Sequence, residues 1–139
     1  MRNSPAILVV DDSPFVARAL VHVLESRGLK AHAASTMDEA VTVCDDFHPG
    51  VLVADVCMPN IDLIELCRRV RAAASGLRPA VLLFSAHSEQ EIGKVIAATG
   101  ADAFVEKRHG AAVVAARVEA LCAWVASQYP SLTPSPSPG

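Results

Sequence analysis

Short apolar runs alternate with longer amphipathic segments along most of the chain. Runs of this kind, bounded by turn residues, are typical of strands that are covered on both faces of a parallel sheet. Five strands are predicted on this basis: AILVV at 6–10, KAHAA at 30–34, VLVAD at 51–55, AVLLFS at 80–85 and AFVEK at 103–107.

A helix is predicted after each of these strands. Ser13 has the character of an N-cap, Pro14 suits the first helical position, and Gly28 ends the first helix. The other helices are predicted from Ser35 or Thr36 to about Phe47, over about 61–74, from about Ser88 to Ala98, and along a final segment in which Val114, Val118, Leu121 and Val125 recur with a helical period.

The alternation of strand and helix predicts βα units, whose right-handed crossovers build one parallel sheet. We therefore expect an α/β fold, a three-layer doubly wound (βα)5 flavodoxin-like domain with a five-stranded parallel sheet in the order 2-1-3-4-5. A chain of 139 residues has the length of one domain. That domain is assigned to residues 1–128, and the Pro/Ser-rich segment 129–139 is interpreted as a disordered tail or a truncated linker.

Composition and charge exclude several classes of function. The net charge of −3 provides no basic surface for nucleic acid. No apolar run approaches the roughly 18 residues of a membrane span, and the first residues lack the apolar core of a signal peptide. We therefore expect a cytoplasmic protein whose domain binds neither membrane nor nucleic acid. Because no CxxC pair or metal-binding spacing is present, buried and reduced thiols are expected at Cys44, Cys57, Cys67 and Cys122.

Polar residues follow the apolar runs where four of the strands end. They are Asp11 and Asp12 after the first strand, Asp55 at the end of the third, Ser85 at the end of the fourth and Lys107 at the end of the fifth. Neighbouring strands lie roughly 4.8 Å apart, so these side chains meet at one edge of the sheet. In doubly wound sheets this is the edge at which ligands bind.

This set of side chains predicts phosphoryl chemistry. Carboxylates about 4 Å apart repel one another by on the order of 4 kcal/mol near a protein surface, and a divalent cation removes that cost. An all-oxygen pocket suits Mg²⁺, which also bridges to phosphate. Asp55 is then free to act as a nucleophile that forms an acyl phosphate, while Ser85 and Lys107 hold the phosphoryl oxygens.

The motifs ILVVDDSP, VLVADVCMPNID, VLLFSA and GADAFVEK, in this order, resemble those of receiver (response regulator, CheY-like) domains of two-component signalling. The resemblance extends over residues 6 to about 125. It implies a bacterial phosphorelay protein that is not an enzyme acting on a separate substrate, although it catalyses its own phosphorylation and dephosphorylation. The expected phosphodonor is a histidine kinase or a histidine phosphotransfer protein.

The resemblance assigns the phosphoryl and metal sites residue by residue. Asp55 matches the phosphoacceptor. Asp11 and Asp12 match the acidic pair that binds Mg²⁺ together with Asp55, and the backbone carbonyl of Cys57 is a further expected ligand. Lys107 matches the lysine that contacts the phosphoryl group. Because we expect Lys107 to contact that group alone, its removal should leave metal binding unchanged.

The same resemblance assigns the signalling residues. Ser85 and Phe104 match a hydroxyl and aromatic switch pair, whose movement changes the face formed by the fourth helix, the fifth strand and the fifth helix. An output domain or a docking partner would read that face. Cys57 and His87 each lie two residues beyond a site residue, at positions whose side chains tune dephosphorylation in the family.

Two residues depart from the family pattern. Leu63 stands where the family commonly has glycine, which predicts a changed start of the third helix. Arg108 stands where the family commonly has proline after the lysine. A cis peptide bond costs about 3 kcal/mol before a residue other than proline, so we expect the Lys107–Arg108 bond to be trans.

Three other functions are alternatives to a receiver. A flavin carrier would cradle an anionic phosphate in its first loop, where Asp11 and Asp12 would repel it. A phosphatase of the haloacid dehalogenase kind would need an Asp-x-Asp pair after its first strand, and the chain has Asp-Asp-Ser-Pro. The remaining alternative is a pseudo-receiver, a protein-interaction module that works without phosphorylation. Leu63 and Arg108 keep that alternative open.

Overall fold

The computed structural model describes residues 4–74 and 77–128. The predicted tail at 129–139 lies outside the described residues. Strands and α-helices alternate as the sequence predicts, with a single 3-10 turn before the last helix. The elements are β1 Ala6–Val10, α1 Pro14–Ser26, β2 Lys30–Ala34, α2 Met37–Phe47, β3 Val51–Asp55, α3 Leu63–Ala73, β4 Ala80–Ser85, α4 Gly93–Thr99, β5 Ala103–Glu106, the 3-10 turn Lys107–His109, and α5 Ala111–Ala126.

The five strands form one parallel sheet in the order β2-β1-β3-β4-β5, which confirms the predicted doubly wound fold. Val10 pairs with Ala34 on one side and with Ala54 on the other. Asp55 pairs with Phe84. The carboxyl ends of the central strands therefore lie side by side at one edge of the sheet.

The helices cover both faces of the sheet, and the residues of each strand alternate between them. In β1, Ile7 and Val9 pack in the cluster formed with α1 and α5, whereas Leu8 and Val10 pack in the cluster formed with α2 and α3. All four are fully buried. Burial of one such side chain stabilises the fold by about 1.5–3 kcal/mol, so both layers contribute to the stability of the sheet.

The helix starts follow the polar residues that the sequence indicates. Ser13 Oγ accepts a hydrogen bond from the Val16 amide at 3.3 Å, with Pro14 as the first residue of α1. Of the two candidates for the cap of α2, Thr36 caps the helix, because its Oγ1 accepts from the Glu39 amide at 3.1 Å. These caps satisfy amide groups that have no partner inside the helix.

The third helix begins in the ordinary way despite Leu63. Asp62 Oδ1 accepts from the Glu65 amide at 3.0 Å, and Leu63 is the first helical residue. Every peptide bond within the described ranges is trans, which confirms the expectation for Lys107–Arg108. Neither departure from the family pattern breaks the fold at its own position.

Two predicted boundaries were wrong. The fourth helix begins at Gly93 and not near Ser88. Ser88 and Glu91 bond to each other in the manner of a capping box, with distances of 2.8 and 3.3 Å, but the residues between them form turns. Lys107 belongs to the 3-10 turn and not to β5.

Opposite the carboxyl edge, Arg78 joins three elements in an arrangement that we call the Arg78 clasp, formed by Arg78, Asp102, Trp124 and Gln128. Gln128 Oε1 accepts from the Arg78 amide at 3.0 Å, and Gln128 Nε2 donates to the Arg78 carbonyl at 2.8 Å. The guanidinium pairs with Asp102 at 2.9 Å and lies 5.6 Å from the centre of the Trp124 ring. The clasp ties the end of α5 to the start of β4.

Among the described residues, no helix combines the length and the apolar character needed to cross a membrane. All four cysteines are free. Cys44, Cys67 and Cys122 are buried as expected, but the expectation was wrong for Cys57, which is exposed in the segment between β3 and α3.

Candidate functional site

The carboxyl edge of the sheet brings three carboxylates together. Asp11 and Asp12 follow β1, and Asp55 is the last residue of β3. One carboxylate oxygen from each lies within 4.8 Å of the others. Asp11 and Asp55 are buried, whereas Asp12 is exposed. The cluster therefore has a closed inner side and an open outer side.

Asp55 is held by two hydrogen bonds, one to each of its carboxylate oxygens. Its carboxylate is nearly buried, at 4 % exposure for the residue. Oδ1 accepts a hydrogen bond from the amide of Cys57 at 3.1 Å, and Oδ2 accepts one from Lys107 Nζ at 3.1 Å. The backbone after β3 therefore holds Oδ1, and the ammonium of Lys107 holds Oδ2.

Asp11 carries a buried oxygen without a hydrogen bond. Its Oδ1 accepts from the Ser13 amide at 2.9 Å, but Oδ2 has no hydrogen-bond partner within the described parts of the chain. The nearest cation is Lys107 Nζ, at 3.5 Å from Oδ2. Burial raises the pKa of Asp11 above its usual value; the Ser13 amide opposes this effect, and the charge of Asp55 adds to it.

Lys107 lies at the mouth of the pocket with its side chain about one third exposed, at 36 %. Burial opposes its charge, but the carboxylates of Asp55 and Asp11 outweigh that effect and raise the pKa of Lys107. The expectation that Lys107 meets a phosphoryl group alone was wrong, because it contacts two of the predicted metal-binding carboxylates directly. The ammonium also lies 5.2 Å from the centre of the Phe84 ring.

The residues present fit a divalent cation. Three carboxylates converge, and a buried oxygen of Asp11 has an ion pair with Lys107 but no hydrogen bond among the described residues. Oxygen ligands of this kind are those that Mg²⁺ prefers, and an open side leaves room for water or phosphate. Cys57 joins the cluster through its amide. The role of its carbonyl as a ligand stays a prediction.

The predicted switch residues lie on the neighbouring strands β4 and β5, where Leu83 pairs with Phe104 and Ser85 pairs with Glu106. Ser85 is fully buried at the end of β4, where its Oγ accepts from the amide of His87 at 3.0 Å. Phe104 is half-buried on β5, against the cluster formed with α2 and α3. His87 is exposed, and its Nδ1 lies 3.8 Å from a carboxylate oxygen of Glu91. Their signalling and tuning roles stay predictions.

Sequence reasoning missed two contributors to the site. Phe84 was counted only as part of an apolar strand, yet its ring lies against the ammonium of Lys107. Ser13 was predicted as a helix cap, and its amide also holds Asp11. Their positions in the sequence could have identified both residues. Phe84 directly precedes Ser85, and Ser13 lies two residues after Asp11.

A parallel (βα)5 sheet with an acidic cluster, a strand-end hydroxyl and a lysine at one edge is the architecture of a signalling receiver. The model of the response regulator receiver domain family matches residues 7–119. The chain belongs to that family, which confirms the resemblance found in its motifs and places it in two-component signalling.

Curated relatives include transcriptional regulators from bacteria. The chain is 32% identical over 117 residues to the phosphate regulon transcriptional regulatory protein PhoB of Rhizobium meliloti, covering 84% of this chain and 52% of that protein. It is 34% identical over 116 residues to the alkaline phosphatase synthesis transcriptional regulatory protein PhoP of Bacillus subtilis, covering 83% and 47%. The chain thus spans about half the length of these relatives.

A solved structure of similar identity comes from a different kind of protein. The signal receiver domain of a signal transduction histidine kinase from Syntrophus aciditrophicus is 32% identical, with a TM-score of 0.71, and the match covers 87% of this chain and 92% of that one. A receiver domain protein from Methanospirillum hungatei has a TM-score of 0.74 at 18% identity, covering 89% and 98%, and supports the fold alone.

Proposed function

We propose that this chain is an active receiver, which accepts a phosphoryl group on Asp55 from a histidine kinase or a histidine phosphotransfer protein in the presence of Mg²⁺. The observation that carries the proposal is the meeting of three carboxylates within 4.8 Å, with Lys107 Nζ 3.1 Å from the acceptor. The chemistry of this donor set suits phosphoryl transfer and offers little to other reactions. The receiver unit is assigned to residues 1–128, followed by a tail or linker.

The transfer needs one nucleophile and one leaving group. A carboxylate oxygen of Asp55 forms a bond to phosphorus while the N–P bond of the donor phosphohistidine breaks. The electron pair of that bond stays on the imidazole, which takes up a proton. Lys107 and the hydroxyl of Ser85 are the groups in place to bind the oxygens of the transferred phosphoryl group.

Asp11, Asp12, Asp55 and the carbonyl of Cys57 would hold the Mg²⁺ ion. When bound, the ion supplies positive charge that lets an anionic phosphoryl group approach the carboxylates. The contacts of Asp11 support this assignment, because its inner oxygen is buried without a hydrogen bond among the described residues. Asp12, being exposed, is free to turn toward the ion.

The signal would leave through the face formed by α4, β5 and α5. A phosphoryl group adds roughly two negative charges and new acceptor oxygens beside Ser85. Drawing the Ser85 hydroxyl toward that group costs its bond from the His87 amide and makes room for Phe104 to turn inward. An output domain or a docking partner would then meet a changed surface. Cys57 and His87 are both exposed, and their side chains would tune dephosphorylation.

Phosphate uptake tests this proposal against a pseudo-receiver. With Mg²⁺ and acetyl phosphate, the intact mass should rise by one phosphoryl group, and Asp55→Asn should abolish the increase. Asp46→Asn, which removes an exposed carboxylate on α2, is the matched control and should leave uptake unchanged. Uptake that persists in Asp55→Asn would overturn the acceptor. A parent protein that takes up no phosphoryl group would be a phosphorylation-independent interaction module.

A further inference from the structure

Phe84 makes a contact that its place in the core does not require. Its ring is 2 % exposed and packs in the layer formed with α1 and α5. Lys107 Nζ lies over this ring at 5.2 Å from the centroid, within the range of a cation–π interaction. On the sheet, Phe84 pairs directly with Asp55. One residue therefore adjoins both the acceptor strand and the catalytic cation.

We propose that Phe84 is a positioning residue for Lys107, whose ring face holds the ammonium at the mouth of the acidic pocket. The inference rests on the proposed function of the site and concerns how its cation stays in place. Asp55 and Asp11 attract the same ammonium, at 3.1 and 3.5 Å. Their attraction weakens once a divalent cation neutralises them. The ring is uncharged, so its attraction is independent of the metal.

Packing of the lysine stem alone does not fix the ammonium. A groove of about 260 Å³ between α1 and α5 is bordered by Phe84 and Lys107. Lys107 has four side-chain torsions, and holding the ammonium in one place restricts them. Its side chain is 36 % exposed, so solvent is a competing position for the ammonium. Without the ring, the ammonium would spend more of its time in water.

Two substitutions separate this role from simple core packing. Phe84→Leu keeps an apolar side chain but removes the ring face. Phe84→Tyr keeps the ring face. If Phe84 only fills the core, the two variants should differ in stability but not in the behaviour of Lys107.

The first measurement is the NMR shift of the Lys107 ε-methylene protons in the free protein. Ring current should move them upfield in the parent and in Phe84→Tyr, and they should return toward unstructured values in Phe84→Leu. A parent protein whose Lys107 protons already show unstructured values overturns the proposal. This measurement needs neither Mg²⁺ nor a phosphoryl donor, so it decides the position of the lysine even if the proposed function fails.

The second measurement is affinity for beryllofluoride, a stable mimic of the phosphoryl group, with Mg²⁺ present. Phe84→Leu should bind it about 3- to 10-fold more weakly and Phe84→Tyr about as well as the parent. In a Lys107→Met background the effect of Phe84→Leu should vanish, because no ammonium is left to position. Equal losses with and without Lys107 would show that Phe84 acts through packing and would overturn the proposal. A parent that binds no beryllofluoride would refute the proposed function instead.

Discussion

The ammonium of Lys107 lies between the carboxylates of Asp55 and Asp11, 3.1 Å from one and 3.5 Å from the other. Without a metal ion, it is therefore the counter-charge of the two buried carboxylates. A divalent cation has to share those oxygens with it. The affinity of the pocket for metal consequently depends on the lysine as well as on the acidic residues.

Lys107→Ala should raise the affinity for Mg²⁺ by about 3- to 10-fold. One like-charge contact is removed, which is worth about 1 kcal/mol where water screens the pair. Lys107→Arg keeps the charge and should stay near the parent value. Isothermal titration with MgCl₂ measures both. An unchanged affinity in Lys107→Ala would mean that the ammonium of Lys107 leaves the pocket on Mg²⁺ binding without a cost in free energy.

Asp12→Ala should weaken Mg²⁺ binding and phosphorylation together. We expect a loss of about tenfold or more in metal affinity, since a charged oxygen ligand is lost from the open side of the cluster. Asp38→Ala removes an exposed carboxylate from the first turn of α2 and serves as the control. Calorimetry and intact-mass measurements check the two effects. Retention of Mg²⁺ affinity in Asp12→Ala would exclude it as a ligand.

Asp11 should give the unfolding free energy a distinctive dependence on pH. Its pKa is raised in the folded state, chiefly by burial, so the folded state binds the proton more tightly than the unfolded state does. Asp11 therefore lowers the free energy of unfolding least below the usual carboxyl pKa of about 3.9. This destabilising effect grows as the pH rises from there through the raised pKa of the folded state. Relative to the parent, Asp11→Asn should become more stable as the pH rises through that window.

Urea denaturation at several pH values without divalent cations measures this difference. Saturating Mg²⁺ should reduce it, because the ion stabilises the parent and lacks one ligand in the variant. A difference that is constant with pH would show that Asp11 titrates alike in the folded and unfolded states.

The sequence predicted most of the fold because strands and helix starts each leave a local pattern of residues. Continuous apolar runs indicate strands buried on both faces, and Ser13 and Asp62 mark the starts of helices. The start of α4 was missed for a physical reason. Ser88 and Glu91 make the same mutual hydrogen bonds in a turn as in a capping box, so the motif does not say which of the two follows.

The sequence predicted which residues form the site but only some of the contacts between them. Parallel strands carry their last residues to one edge, which is why Asp11, Asp55 and Lys107 were expected together. The contact of Lys107 with Phe84, and its sharing between two carboxylates, depend on side-chain torsions that strand order does not determine. The pairing of Arg78 with Gln128 joins residues 50 positions apart, and no local pattern indicates it.

Beryllofluoride with Mg²⁺ should shift the amide resonances of residues within 88–118 as well as those around Asp55. The reason is the proposed movement of Ser85 and Phe104, and a two-state element needs only a few kcal/mol of differential binding to change its population. Ser85→Ala should reduce the distant shifts more than the near ones. Shifts confined to the loops around Asp55 would make the chain a phosphate sink or relay that does not signal through this face.

Gln128→Ala should lower the free energy of unfolding by about 1–2 kcal/mol, since two hydrogen bonds to the Arg78 backbone are lost. Gln128→Glu keeps the acceptor but loses the donor, so its loss should be smaller than that of the alanine variant if the acceptor contributes. Urea titration measures both variants. Parent-like stability in Gln128→Ala would show that the clasp makes no net contribution.

The Arg78 clasp also fixes where any following segment starts. Gln128 is bonded to Arg78, two positions before β4, and Ser85 ends that strand seven residues after Arg78. At about 3.3 Å per residue, Gln128 therefore lies roughly 23 Å from the acceptor edge. A segment that starts there would need about seven extended residues to reach Asp55. A domain tethered by a shorter segment would meet the flank of α5, and it would read the proposed phosphorylation only through a change of shape.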